Sequence, residues 1–174
     1  MITIMSEKNA FTLLMSRKQT ESPDGFLIIK GTIPRGQTHL LQFDGGANPN
    51  PGRAAGAAIL YSPERKPIFE RAEFLPHATN NQAEYTGLLV GLQESAAIGV
   101  KHLMIQGDSQ LVILQVAGKW KIKDDALKAL NRQIQHELES FEYVAIRHVF
   151  REKNTEADRI ANEGISDGES FIRN

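Results

Sequence analysis

Leu40-Leu41-Gln42-Phe43-Asp44-Gly45-Gly46-Ala47-Asn48-Pro49-Asn50-Pro51-Gly52 reads as an apolar strand that ends on a carboxylate and runs into a loop of glycine and proline. Glycine allows backbone angles that other residues avoid, and proline fixes its own. A carboxylate where a buried strand meets such a loop has a rigid support and an open approach. An Asp before a turn is also an ordinary turn former. What decides between the two is whether later acids fall at matching element ends.

The chain has 174 residues, which suits one domain with a sizeable core. Residues 1–38 are expected to be an N-terminal extension, 39–166 the main domain and 167–174 a short tail. There is no cysteine, so disulfides and thiolate metal sites are excluded, and any metal must be held by oxygen or imidazole. No apolar run reaches membrane-spanning length and no secretory leader pattern is present, which makes a cytoplasmic location without membrane contact the expectation, with a monomer as the default state. A net charge of −1 does not advertise a nucleic-acid binder. A local basic patch can still serve, because phosphate contacts act over short screened distances.

In the extension, Phe11–Met15 and Phe26–Ile29 are short apolar runs, with Pro23-Asp24-Gly25 as a turn. A hairpin or extra edge strand and a loosely ordered arm are both open there. From His39 the signals sharpen. His39–Asp44, Gly56–Tyr61 and Ile68–Leu75 read as an antiparallel meander of three strands. The period then turns helical: Thr79 or Asn80 caps a helix running to Ala97, with Tyr85, Leu88, Leu89, Leu92 and Ala96 as its apolar stripe. Gly87, Gly91 and Ser95 lie four apart and allow close packing. A strand follows at His102–Gly107, then helices at Ser109–Ala117 and Asp124–Phe141, a strand at Tyr143–Phe150, and a last helix capped by Asn154. The order β-β-β-α-β-α-α-β-α predicts an α/β fold, a mixed five-stranded sheet with helices on both faces.

Four acids fall at element ends: Asp44 after the first main strand, Glu84 in the first turn of the long helix, Asp108 after the fourth strand and Asp158 early in the last helix. Ligand sites of open α/β sheets gather at the carboxyl ends of strands. If the strands carrying Asp44 and Asp108 are parallel neighbours, their carboxylates converge. Convergent carboxylates repel, so an empty site is destabilising and some pKa values rise. An all-oxygen donor set favours Mg²⁺, with Mn²⁺ as substitute, and two such ions together suit phosphodiester hydrolysis. Taken singly, each acid reads more readily as a turn former or a helix-end residue than as a ligand.

The contexts of the four acids together resemble those of the type 1 ribonuclease H family. Phe43-Asp44-Gly45-Gly46 with Asn50-Pro51-Gly52 is similar to its first motif, and Thr79-Asn80-Asn81-Gln82-Ala83-Glu84-Tyr85 to its second. Gly107-Asp108-Ser109-Gln110-Leu111-Val112 is similar to the third, and His148 through Asn162 to the fourth. The resemblance implies a ribonuclease H-like fold, metal-dependent endonucleolytic cleavage of the RNA strand of RNA–DNA hybrids, products with 5′-phosphate and 3′-hydroxyl ends, and Asp44, Glu84, Asp108 and Asp158 as ligands of two Mg²⁺ ions. A non-catalytic nucleic-acid-binding module of the same fold, or a nuclease of the superfold acting on another nucleic acid, are the alternatives. Many members insert a basic handle after the second helix. Here only Lys119-Trp120-Lys121-Ile122-Lys123 stands there, as in the handle-less branch.

The resemblance also implies that Gly45, Gly46, Asn50, Asn80, Asn81 and Gln82 lie along the bound hybrid, where amide side chains match 2′-hydroxyls. Helix capping and turn formation explain Asn80 and Asn50 equally well. Lys119, Trp120 and Lys121 read as phosphate and sugar contacts, or as a tryptophan covering the core. Two residues compete for the auxiliary catalytic role. His148 matches a family histidine but shares a strand face with the core residues Val144 and Ile146. Arg151 lies past the strand, and its lasting charge suits a phosphate. Arg151 is the favoured one.

Overall fold

The computed structural model describes residues 21–174. The apolar run Phe11–Met15 lies outside the described residues. The strands are β1 (Leu27–Lys30), β2 (His39–Ala47), β3 (Gly52–Tyr61), β4 (Pro67–Ala78), β5 (His102–Gly107), β6 (Tyr143–His148) and β7 (Phe171–Arg173). The helices are α1 (Asn80–Ala97), α2 (Gln110–Val116), α3 (Asp125–Leu138) and α4 (Thr155–Asp167), with a 3₁₀ turn at Arg151–Lys153. Among the described residues, seven strands form one mixed sheet in the order β1-β6-β5-β2-β3-β4-β7.

The expected α/β class holds, and the strand count of five is corrected to seven. The two additions are the outermost strands. β1 pairs antiparallel with β6, Leu27 opposite Ile146, and β7 pairs antiparallel with β4, Arg71 opposite Ile172. β1 is the edge strand that the apolar run Phe26–Ile29 left open beside a loose arm, whereas β7, three residues bonded on one side only, is too short to show a period of two. The meander is also longer than expected. β3 begins at Gly52 and β4 runs on to Ala78, because the small residues Ala54, Ala55 and Ala57 are buried in the ladder. The third helix stops at Leu138, and Phe141 is a buried turn residue beyond it.

β3 shows why the sheet needs helices on both faces. Ala58 and Leu60 join Leu41, Phe43, Leu88, Leu92 and the apolar residues of α2 and α3 in the main core. Ala57 and Ile59 point the other way, onto Ala157, Ile160 and Ala161 of α4. α1 is buried over far more than one stripe, since β2 and β3 lie on one side and α3 on the other. The spaced small residues allow it. A Cβ added at Gly87 would sit 2.4 Å from the Asp44 carbonyl oxygen, and one at Gly91 would sit 2.7 Å from the Ala58 Cβ. Helix α1 is therefore pressed onto the strand that carries Asp44.

Candidate active site

β2 and β5 are parallel neighbours, and their register puts Phe43 opposite Gly107. The next residue on each strand is an acid, so Asp44 and Asp108 leave the sheet side by side. Glu84 arrives from α1. Thr79 caps that helix in a reciprocal box: its hydroxyl accepts from Gln82 N at 3.1 Å, and Gln82 Oε1 accepts from Thr79 N at 2.9 Å. This places Glu84 just beyond the first turn, not in it as expected, so the helix N-terminus does less to hold its charge. Gly45 lets the acid-bearing backbones meet, because a Cβ there would lie 2.3 Å from Glu84 N.

Asp44, Glu84 and Asp108 each offer a carboxylate oxygen, and these oxygens lie within 4.8 Å of one another. Asp158 joins them around one cavity of about 370 Å³, also lined by Gly45, Gly46, Asn80, Arg151 and Asn162. Burial, and then the charge of Asp108, lift the Asp44 carboxyl from 3.8 to about 8, against an opposing hydrogen bond from the Gly45 backbone. Burial also lifts Glu84 to about 7, with the Ser109 hydroxyl pulling down and Asp108 pushing up. Such a set is poorly stable when fully ionised and empty, and a hard divalent cation relieves it. The donors are all oxygen, the set a hard divalent cation prefers.

Arg151 and His148 are placed differently. The Arg151 side chain is 79% exposed and reaches into the acid cavity, its Nη2 lying 3.6 Å from Asp158 Oδ1. His148 is half-buried at the end of β6. Its Nε2 lies 3.1 Å from the Asp108 carbonyl oxygen and its ring meets Phe150 edge-on. It braces the strand end that carries Asp108, and it is not among the residues lining the cavity.

Of the expected hybrid-contacting residues, Gly45, Gly46 and Asn80 line the acid cavity and Asn50 is bonded beside it. Asn50 Oδ1 accepts from Asn80 N at 3.0 Å, and Asn80 Oδ1 accepts from Ala47 N at 2.7 Å. Asn50 and Asn80 thus stitch the glycine-proline loop to the start of α1. Asn50, Asn81 and Lys121 line a neighbouring cavity of about 550 Å³. Lys119 and Trp120 are exposed on the short connection between α2 and α3, and their backbone N–H groups both donate to Leu114 O. They line neither cavity. No basic handle is present between Val116 and Asp125.

Sequence reasoning missed three supports. Asn162 donates to Asp158 Oδ2 at 3.4 Å, and its place one helical turn after Asp158 was the available signal. Ser109 hydrogen-bonds Glu84 from the residue after Asp108. Asn154 precedes α4 as expected, but the expected cap is corrected: its side chain makes no capping bond and donates instead to Phe43 O at 2.9 Å. That partner is over a hundred residues away in the chain, so no local signal exists.

A family profile described as reverse transcriptase-like matches residues 42–164. The ribonuclease HI of Halobacterium salinarum is 34% identical over 151 residues, which cover 81% of this chain and 76% of that protein. Its crystal structure superposes with a TM-score of 0.72 at 36% identity, over 75% of this chain and 98% of that one. The N-terminal RNase H domain of Rv2228c from Mycobacterium tuberculosis gives 0.73 at 33% identity, over 76% and 96%. The match to the full bifunctional Rv2228c protein spans only 35% of its length. LC11-RNase H1, crystallised in complex with an RNA/DNA hybrid, gives 0.71 at 28% identity, over 75% and 98%. By sequence and by fold alike, this chain belongs to the type 1 ribonuclease H family.

Proposed function

We propose that the chain cleaves the RNA strand of RNA–DNA hybrids endonucleolytically, with two divalent cations, Mg²⁺ or Mn²⁺, held by Asp44, Glu84, Asp108 and Asp158. The observation that carries this is the meeting of three carboxylate oxygens within 4.8 Å, with Asp158 and Arg151 at the same cavity. When bound, divalent cations at such a site lower the pKa of water and neutralise charge on the departing oxygen. The chain supplies the rest. Asp44 and Asp108 are fixed by the β2–β5 register, so their spacing does not depend on loop movement. Arg151 places a permanent positive charge at the cavity rim, suited to the scissile or departing phosphate. It, and not the bonded His148, is the auxiliary catalytic residue.

Recognition of the RNA strand falls to the amide rim. The carbonyl oxygens of Asn50, Asn80 and Gln82 are each taken by a backbone N–H. Their NH₂ groups then face the 2′-hydroxyl oxygens as donors, which supports the reading. Gly45 and Gly46 offer backbone without a side chain beside the scissile position. Lys119, Trp120 and Lys121 provide phosphate and sugar contacts from the exposed connection between α2 and α3. Cleavage of labelled hybrid, duplex RNA, duplex DNA and single strands, each with Mg²⁺ and with chelator, tests the reading. The expected result is metal-dependent cutting of the hybrid alone, leaving 5′-phosphate and 3′-hydroxyl ends. Fragments ending in 2′,3′-cyclic phosphate would mean that the ribose hydroxyl attacks, and the proposed chemistry would be wrong.

A further inference from the structure

We propose that Asn154 is a positioning residue that locks the segment carrying Arg151 and Asp158 to the strand carrying Asp44. The proposal rests on the ribonuclease reading for its activity readout, and on geometry for everything else. Asp44, Glu84 and Asp108 are set by the β2–β5 register and by the glycine contacts of α1. Asp158 and Arg151 come from the other face of the sheet, on α4 and the turn before it, and Asp158 is not one of the three acids whose oxygens cluster. Something must fix their distance from Asp44.

Asn154 stands where those elements meet. Its side chain is completely buried, and Nδ2 donates to the carbonyl of Phe43, the residue before Asp44. Its backbone N–H donates to Arg151 O at 2.9 Å, and its carbonyl accepts from Asp158 N at 3.1 Å. One residue thus joins the strand of Asp44, the turn of Arg151 and the first helical turn of Asp158. Beside it, Gln42 Nε2 reaches both Lys153 O at 3.4 Å and Gln106 Oε1 at 3.1 Å, so the same turn is also tied to β2 and, through Gln106, to β5.

Two features of this arrangement oppose stability. An asparagine at a helix N-cap ordinarily accepts from a backbone N–H of the first turn, and this one does not. Its Oδ1 is buried without a hydrogen-bond partner among the described residues, a destabilising state for a carbonyl. A buried position that forgoes a cap and leaves an acceptor unpaired, yet links three site elements, is serving geometry.

Asn154→Ser separates the two roles. Serine is a good N-cap, so the helix keeps its start, but it is too short to reach Phe43 O. Four quantities are compared with wild type: kcat and KM on an RNA–DNA hybrid with Mg²⁺, Mn²⁺ affinity by calorimetry without hybrid, and melting temperature. The expected result is a kcat lowered about ten- to a hundredfold, as for a displaced catalytic group, with KM within about twofold. Mn²⁺ affinity should fall about tenfold, the usual effect of losing an outer support of metal ligands. Wild-type kcat and wild-type Mn²⁺ affinity, whatever the melting temperature does, would overturn the proposal and leave Asn154 as packing. If the serine variant does not fold, Asn154→Asp keeps the size and removes the Nδ2 donor to Phe43 O, and the same pair of unchanged readings would overturn it. A wild-type protein that binds Mn²⁺ but cuts no hybrid would defeat the ribonuclease reading, whereas weaker Mn²⁺ binding by Asn154→Ser would still bear out the positioning role.

Discussion

Asp44→Asn should abolish turnover and stabilise the metal-free protein, by an amount that grows with pH. Asp44 is 6% exposed, and burial with the charges of Asp108, Glu84 and Asp158 raises its carboxyl from 3.8 to about 8. Below about pH 4 the folded and unfolded chains both hold the proton, and the group makes no difference. From there to about pH 8 the folded chain keeps a proton that the unfolded chain has released. The unfolded state then binds fewer protons, so stability falls as pH rises, by about 1.4 kcal/mol per unit for one group. Above about pH 8 the loss is complete. Asparagine cannot titrate and escapes this loss. At pH 7 the variant should therefore be more stable on the order of 2–4 kcal/mol, after allowing for the weakened hydrogen bond from Gly45. Urea denaturation in chelator, followed by far-UV circular dichroism at several values from about pH 4 to about pH 8, measures the difference. It should be small at the acid end and widen steadily. Added Mg²⁺ should raise the melting temperature of wild type more than that of the variant. A variant less stable at every pH, or a difference that does not change with pH, would show that Asp44 is a structural turn residue and that the carboxylates do not crowd.

Other substitutions test the remaining parts of the site. Arg151→Ala should lower kcat by about tenfold or more at nearly unchanged stability, since its side chain is largely exposed. His148→Ala should instead cost about 1 kcal/mol in chemical denaturation through loss of its bond to Asp108 O, and a stable but slow His148→Ala beside an unaffected Arg151→Ala would reverse the two roles. Replacing Lys119, Lys121 and Lys123 together by Gln should flatten the dependence of hybrid affinity on salt, lowering the slope by about one to three. An unchanged slope would remove that segment from the interface. Gly45→Ala should destabilise by about 2 kcal/mol or more and slow cleavage, because its Cβ would meet the α1 backbone at Ala83 and Glu84.

The succession of the five main strands along the chain, the four helices and the four acids were legible in the sequence alone. Those properties are local. Hydrophobic period marks a strand or a helix within one window, and a carboxylate at an element end can be read off directly. Convergence of Asp44 and Asp108 needed only one further condition, that their strands be parallel neighbours, and the β2–β5 pairing meets it. The tertiary structure decided what depends on partners distant in the chain. The edge strands β1 and β7 exist because β6 and β4 offer them free hydrogen-bonding edges. Glu84 and Asp44 carry raised pKa values because other elements bury them beside Asp108. Arg151 reaches the cavity and His148 does not, although both lie within four residues at the end of one strand. Asn154 looks like a helix cap in the sequence and becomes a strap to Phe43 in the fold. Whether its side chain accepts from the α4 backbone or donates to Phe43 O is set by where β2 lies relative to α4, and only the packed sheet contains that distance.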